Sequence, residues 1–180
     1  MVDTARTSTD LLTNLFQDGQ AAGAITPNDV RDFIVSAIPA TGANYITTPA
    51  ATTISVSGTY YKENGTWTSQ GSPVGFTISG NRLTYTGTPT ANFLLLYRAS
   101  FTVSAGTNQT ITFRIAKNGT TDTSTAASNL VDSGDTKVVA GFSFISLATN
   151  DYLELFVTNE TSTNSVTCSK AVALAMRMFT

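Results

Sequence analysis

The hydrophobic pattern of the chain changes period once, near Thr53, and that change limits the fold more than any other feature. Before it, apolar residues recur at helical spacing: Leu11, Leu12, Leu15 and Phe16, then Val30, Phe33, Ile34, Ala37 and Ile38. After it they alternate, as in Ile54 and Val56, Phe76 and Ile78, Leu83 and Tyr85, and Ile111, Phe113 and Ile115. Turn signals divide these runs at Glu63-Asn64-Gly65, Ser79-Gly80-Asn81, Lys117-Asn118-Gly119 and Asp132-Ser133-Gly134-Asp135. Short alternating strands between such turns predict a mainly β, antiparallel sandwich or barrel behind a helical N-terminal segment.

Two helices are expected in that segment. Ser8, Thr9 and Asp10 offer cap oxygens ahead of the first apolar stripe, and Gly19 ends it. For the second, Thr26 is placed to cap, Pro27 suits the first turn, Asp29 sets a negative charge at the positive end of the helix dipole, and Pro39 ends it. Each runs for about ten residues, below the roughly 12–15 at which isolated helices become marginal in water, so their apolar faces must dock. They pack either on each other or the same chain's β-domain, or between subunits or on a partner protein. Residues 39–51 are small, polar and proline-containing, and read as an extended linker with a reach of roughly 40 Å. Such a tether favours the partner. The expected organisation is therefore a two-helix attachment arm at 1–38, a linker at 39–51 and a β-domain at 52–180, with Leu12, Leu15, Phe16, Val30, Phe33 and Ile34 as docking residues.

Two strands depart from simple alternation. Phe93 to Tyr97 is apolar on both faces, the pattern of a strand covered on both sides. The last strand carries Val172, Leu174, Met176 and Met178 on one face and Ala171, Ala173 and Ala175 on the other. A row of alanines lets another backbone approach closely, either as a tightly packed interior or as a subunit contact near a symmetry axis. The second is favoured, with Ala171, Ala173, Ala175, Phe93, Leu95 and Tyr97 expected at the interface.

Composition removes whole classes of chemistry. Charged residues are 12% of the chain where about 25% is usual, and the net charge of −2 comes without any basic stripe. Neither a nucleic acid nor an anionic membrane is an expected partner. There is no histidine and one cysteine, Cys168, so Ser/His/Asp and Cys/His machinery and a Cys/His zinc site cannot be built. Cys168 reads as a small buried hydrophobe. A carboxylate pair drawn from Asp122, Asp132, Asp135, Asp151 and Glu154 is the strongest enzymatic alternative, but most of these stand in turns, where aspartate bonds the local backbone. Asp132, Asp135 and Asp122 lack the spacing of a calcium loop and read as solvated turns. Trp67 with Tyr60 and Tyr61 reads as packing at a sandwich end before a sugar-binding shelf. No metal or cofactor is expected, and the chain reads as a non-enzyme. The opening residues Met1 to Thr7 lack a charged and apolar leader, and no apolar run approaches the roughly 20 residues of a membrane span. Synthesis in a cytoplasm is the corresponding expectation.

The stretch Leu130 to Phe179, with Lys137 to Leu147 leading through Thr149-Asn150-Asp151-Tyr152 into Leu153 to Asn159, resembles the C-terminal half of tumour-necrosis-factor/C1q-like jelly rolls. Asn81 to Gly87, Phe93 to Val103 and Thr110 to Lys117 look like the earlier strands of that fold in bacteriophage fibre and head-decoration proteins. Asp10 to Asp18 with Ile25 to Ser36 is similar to the attachment segment ahead of such phage domains. Thr149-Asn150 stands where the family often has glycine before Asp151. The resemblance implies a homotrimeric jelly roll. It further implies a capsid decoration or cement protein of the virion, its arm docked on the major capsid protein and its β-domain projecting outward. A receptor-binding tail-fibre tip, joined to tail or baseplate proteins and reading a host receptor, is the alternative. The short linker, in place of a long repetitive shaft, favours the capsid.

Overall fold

The computed structural model describes residues 6, 10–15 and 24–178. Among these the N-terminal segment holds one α-helix, α1 (Pro27–Ala37), preceded by a π-helical turn at Leu11–Leu15. Thr26 caps α1 as its sequence implies. The Thr26 side-chain oxygen accepts from the Asp29 amide, and the Asp29 carboxylate accepts from the Thr26 amide at 2.8 Å, with Pro27 in the first turn.

The two-helix expectation is corrected to one. Asp10 does not serve as a free cap, because its carboxylate accepts from Arg6 at 2.8 Å and from the Asn14 side-chain Nδ2 at 2.6 Å. With Thr13 and Asn14, both weak helix formers, in the middle, the described part of this segment winds through a single wide turn. Arg6 also donates to Asp32 at 3.0 Å, and Asp32 is buried, so the segment is tied to α1.

Thirteen strands follow among the described residues. They are β1 (Thr41–Thr48), β2 (Ala51–Thr52), β3 (Tyr61–Lys62), β4 (Thr66–Ser69), β5 (Phe76–Ser79), β6 (Arg82–Tyr85) and β7 (Ala91–Val103). Then come β8 (Gln109–Lys117), β9 (Thr120–Thr121), β10 (Ala127–Val131), β11 (Lys137–Leu147), β12 (Tyr152–Asn159) and β13 (Val166–Arg177). The front sheet has the order β11-β7-β13-β1-β4, with β2 also on β13. The back sheet has the order β10-β8-β12-β6-β5, with β3 on β12 and β9 on β8. Every pairing is antiparallel, and the two sheets pack face to face as a sandwich.

The alternation expected in β5, β6 and β8 is present, with Phe76, Leu83, Tyr85, Ile111, Phe113 and Ile115 buried. Phe76, Tyr85 and Phe93 form an aromatic cluster with ring centroids 5.0–5.3 Å apart. Asn118 and Gly119 join β8 to β9 with φ values of 53° and 79°, the two positive angles a tight hairpin turn demands. Ile54 and Val56 depart from expectation. They lie in an irregular stretch where Ile54 is buried and Val56 exposed.

The linker expected at 39–51 is also corrected, and with it the boundary at residue 52. Thr41–Thr48 is β1, an interior strand that pairs from Thr41 with Met176 to Tyr45 with Val172 on one side, and with β4 on the other. Its composition misleads because close packing requires small residues here. A Cβ on Gly42 would stand 2.7 Å from the Phe76 ring and 2.8 Å from Leu83. The β-domain therefore starts with β1, and α1 enters it with only Ile38 to Ala40 between them.

The turn ahead of β12 shows how the sequence manages without glycine. Asn150 sits at φ 73°, a left-handed angle that asparagine tolerates. The Asp151 amide donates to Ala148 O at 3.0 Å, and the Asp151 carboxylate accepts from the Ala148 amide at 2.8 Å, closing the turn from both ends.

Candidate functional site

The residues expected at a subunit contact lie inside the protomer. Phe93, Leu95, Tyr97, Ala171, Ala173 and Ala175 all point between the sheets and are buried there. The register pairs Ala173 with Tyr97, Ala175 with Leu95 and Ala171 with Ala99. The physical reason is volume: the large side chains of β7 fill the interior, and the neighbouring positions of β13 have room only for methyl groups. Tyr97 also anchors there, its hydroxyl donating to the Phe113 carbonyl at 3.2 Å and to the Thr125 carbonyl. Burial pushes the Tyr97 hydroxyl far up, well away from titration at neutral pH.

The opposite face of the same strands is left open. Cross-strand rows run Phe144, Leu94, Met176, Thr41; then Phe142, Leu96, Leu174, Ala43; then Ala140, Arg98, Val172, Tyr45. Phe142 is 67% exposed, Phe144 62%, and Leu96 and Met176 40% each. A strand apolar on both faces is expected to be covered on both faces, and here one cover is the core while none of the described residues covers the other face. A groove of about 520 Å³ opens in this face, with Leu96, Val172, Leu174, Ala43 and Ala140 among its lining residues.

The arm presents the second apolar surface. Of its expected docking residues, Val30, Phe33 and Ile34 are exposed on α1, together with Ile25 and Ile38. The side chains of Leu12 and Leu15, and all of Phe16, lie outside the described residues.

The carboxylates that formed the enzymatic alternative are each held in local structural bonds. Asp122 accepts from the Ser124 amide at 2.8 Å, Asp132 from the Asn108 amide at 2.6 Å, and Asp135 pairs with Lys137 at 3.2 Å. Glu154 is buried between Lys62 at 2.6 Å and Arg82 at 2.9 Å. Asp151 pairs with Lys117 at 2.8 Å. Partial burial pushes Asp151 up, but Lys117, Asn118 and the Ala148 amide outweigh it and hold the carboxyl down at about 2. Among the described residues no three His, Cys, Asp or Glu side chains gather as metal ligands.

One buried acid escapes sequence reading. Glu63 sits in a turn signal, yet its side chain folds inward, accepting from Trp67 Nε1 at 2.7 Å and from the Gly65 amide at 2.9 Å. Burial raises its pKa against the lowering effect of those two bonds. Trp67 is thereby committed to the interior, as packing and not as a sugar shelf. Tyr61 donates no shelf either, since its hydroxyl accepts from the Val56 amide at 3.0 Å.

No protein-family model matches the sequence, and no curated protein matches it. Solved structures do. A tumour-necrosis-factor domain, the Eiger TNF of S. frugiperda, superposes with a TM-score of 0.55 at 11% identity, covering 78% of this chain and 92% of the other. Murine APRIL superposes with a TM-score of 0.52 at 10% identity, covering 77% and 99%. The globular domain of zebrafish complement 1qA protein aligns at 0.46 and 9% identity, covering 76% and 94%. The fold assignment rests on the first two and on the strand order above: the chain is a mainly β, antiparallel two-sheet sandwich similar to the TNF jelly roll.

Proposed function

We propose that this protein is a non-enzymatic structural protein whose β-domain forms a homotrimer through the outer face of the front sheet. The observation that carries the reading is the row of Phe142, Leu96, Leu174 and their neighbours, an apolar sheet face that none of the described residues covers. Burial of such a face is the main favourable term in association. The arm is the attachment segment. Its helix is too short to be stable alone and carries Val30, Phe33 and Ile34 on the surface, which suits docking on a larger assembly. Three arms per trimer then act through multivalency.

The assembly we propose is a bacteriophage particle, with the trimer decorating the capsid. The support is the resemblance of residues 10–18 and 25–36 to phage attachment segments, and of 81–87, 93–103 and 110–117 to the earlier strands of phage fibre and head-decoration domains. Sedimentation of the purified protein reads the oligomeric state, and co-sedimentation with empty heads and, separately, with host cells reads the target. Trimers that bind heads support the capsid reading. Binding to cells alone would replace it with a tail-fibre tip, and a monomer at all concentrations would remove the trimer.

A further inference from the structure

Asn-Gly occurs twice in the chain, at 64–65 and 118–119, each time followed by threonine, and the two pairs meet opposite surroundings. In this dipeptide the asparagine side chain is open to attack by the next backbone nitrogen, because glycine carries no Cβ to crowd the five-membered ring that forms. At 118–119 the carboxamide is held from both ends: Asn118 Nδ2 donates to Asp151 at 2.7 Å, and Asn118 Oδ1 accepts from the Tyr152 amide at 2.9 Å. Ring closure there must break both bonds. At 64–65 the Asn64 side chain is exposed, and among the described residues its carboxamide makes one long bond, from Nδ2 to Ala51 O at 3.3 Å. The attacking atom of this pair is prepared as well. The buried Gly65 amide donates to Glu63 Oε1 at 2.9 Å, so a carboxyl group already sits on the proton that ring closure has to remove. Trp67 Nε1 fixes that carboxyl by donating to its other oxygen at 2.7 Å, and burial makes its ionised form a stronger base. Only glycine leaves the arrangement room, since a Cβ at position 65 would stand 3.0 Å from Glu63 Oε1 and 3.1 Å from Thr48 O.

We propose that Asn64 is a self-modification site, at which Glu63 acts as general base for attack of the Gly65 nitrogen on the Asn64 side chain. The Gly65 N–H proton passes to the Glu63 carboxylate, a bond forms between Gly65 N and Asn64 Cγ, and the Cγ–Nδ2 bond breaks. The proton held by Glu63 goes to the leaving nitrogen, which departs as ammonia. Water then opens the cyclic imide at one of its two carbonyls and leaves aspartate or isoaspartate at position 64, with no oxidant or reductant consumed. The reaction replaces the Nδ2 donor that faces Ala51 O with carboxylate oxygen, and so weakens the tie between the β3–β4 turn and β2.

The test incubates the full chain at neutral pH, folded and, separately, unfolded in urea, and follows the conversion of amide to acid at each site by peptide mapping with mass spectrometry. In the folded chain Asn64 is expected to convert at least about ten-fold faster than Asn118, and faster than it does in urea, where the two sites should react alike. Glu63→Gln keeps an oxygen that can accept from the Gly65 amide but has no basicity. With its fold checked by circular dichroism, this variant is expected to slow conversion at Asn64 by about ten-fold or more and to leave Asn118 unchanged. Equal rates at the two sites of the folded chain overturn the proposal, and so does a Glu63→Gln chain that converts Asn64 as fast as the parent. If Glu63→Gln does not fold, the parent chain decides alone: conversion of Asn64 that is no faster folded than in urea removes Glu63 as the base.

Discussion

Ala173 stands directly opposite Tyr97 on the neighbouring strands β13 and β7, and both side chains are buried between the two sheets. The alanine is small because the tyrosine is large. Ala173→Leu is therefore expected to overpack the interior and cost about 1–3 kcal/mol in stability, read from chemical denaturation. The oligomeric state of the molecules that remain folded should not change. Selective loss of the trimer with stability intact would contradict the interior assignment.

Asn150 supplies a left-handed turn ahead of β12. Asn150→Gly should be nearly neutral, within about 0.5 kcal/mol, because glycine takes the same angle freely. Asn150→Val should cost about 1–2 kcal/mol, since a β-branched residue resists that angle. Equal midpoints for the two variants in urea would argue against a strained position.

Two carboxylates set opposing acid responses. Glu63 has a folded-state pKa raised above its ordinary value of 4.5 by burial, so the folded state holds its proton more tightly than the unfolded chain. Its destabilising effect is fully present above the raised pKa and is relieved as pH falls toward 4.5. Asp151 is the reverse case, held down at about 2 against an ordinary 3.8. Its contribution is present above the ordinary value and is lost as pH falls through about 2. Urea midpoints across the acid range should thus rise on acidification from neutral pH and then fall. Glu63→Gln should flatten the rise, and Asp151→Asn the fall. An unchanged profile in either variant would assign that limb to other groups.

Removal of residues 1–38 leaves β1 intact, because pairing with β13 begins at Thr41 and the Arg177 amide donates to Ala40 O at 2.8 Å. On the proposed function, the truncated chain is expected to fold and to keep the oligomeric state of the full chain but no longer to co-sediment with phage heads, measured by light scattering and co-sedimentation. Truncation at residue 51, by contrast, removes an interior strand and should abolish folding.

Much of this architecture was legible in the order of residues. Period-two runs at Phe76 to Tyr85 and Ile111 to Ile115 specified strands, Asn118-Gly119 specified a hairpin, and Thr26-Pro27-Asn28-Asp29 specified the start of α1. Lack of histidine excluded several catalytic arrangements before any coordinates. The first expected helix was misread because Asp10, a good cap by type, bonds the side chains of Arg6 and Asn14. β1 was hidden because Gly42 and Ala43 carry none of the bulk by which strands are recognised.

What only the tertiary structure decided is which side of each strand is the inside. Alternation defines two faces on β7 and β13 but is symmetric under their exchange. Both faces of these strands are apolar, so hydrophobicity could not break the tie. Packing volume broke it: the back sheet and the rings of Phe93 and Tyr97 fill the interior against Ala171, Ala173 and Ala175, and the longer Leu96, Val172, Leu174 and Met176 are turned outward. The alanine row that sequence alone offers as a subunit contact is core, and the exposed apolar face of these strands is its reverse.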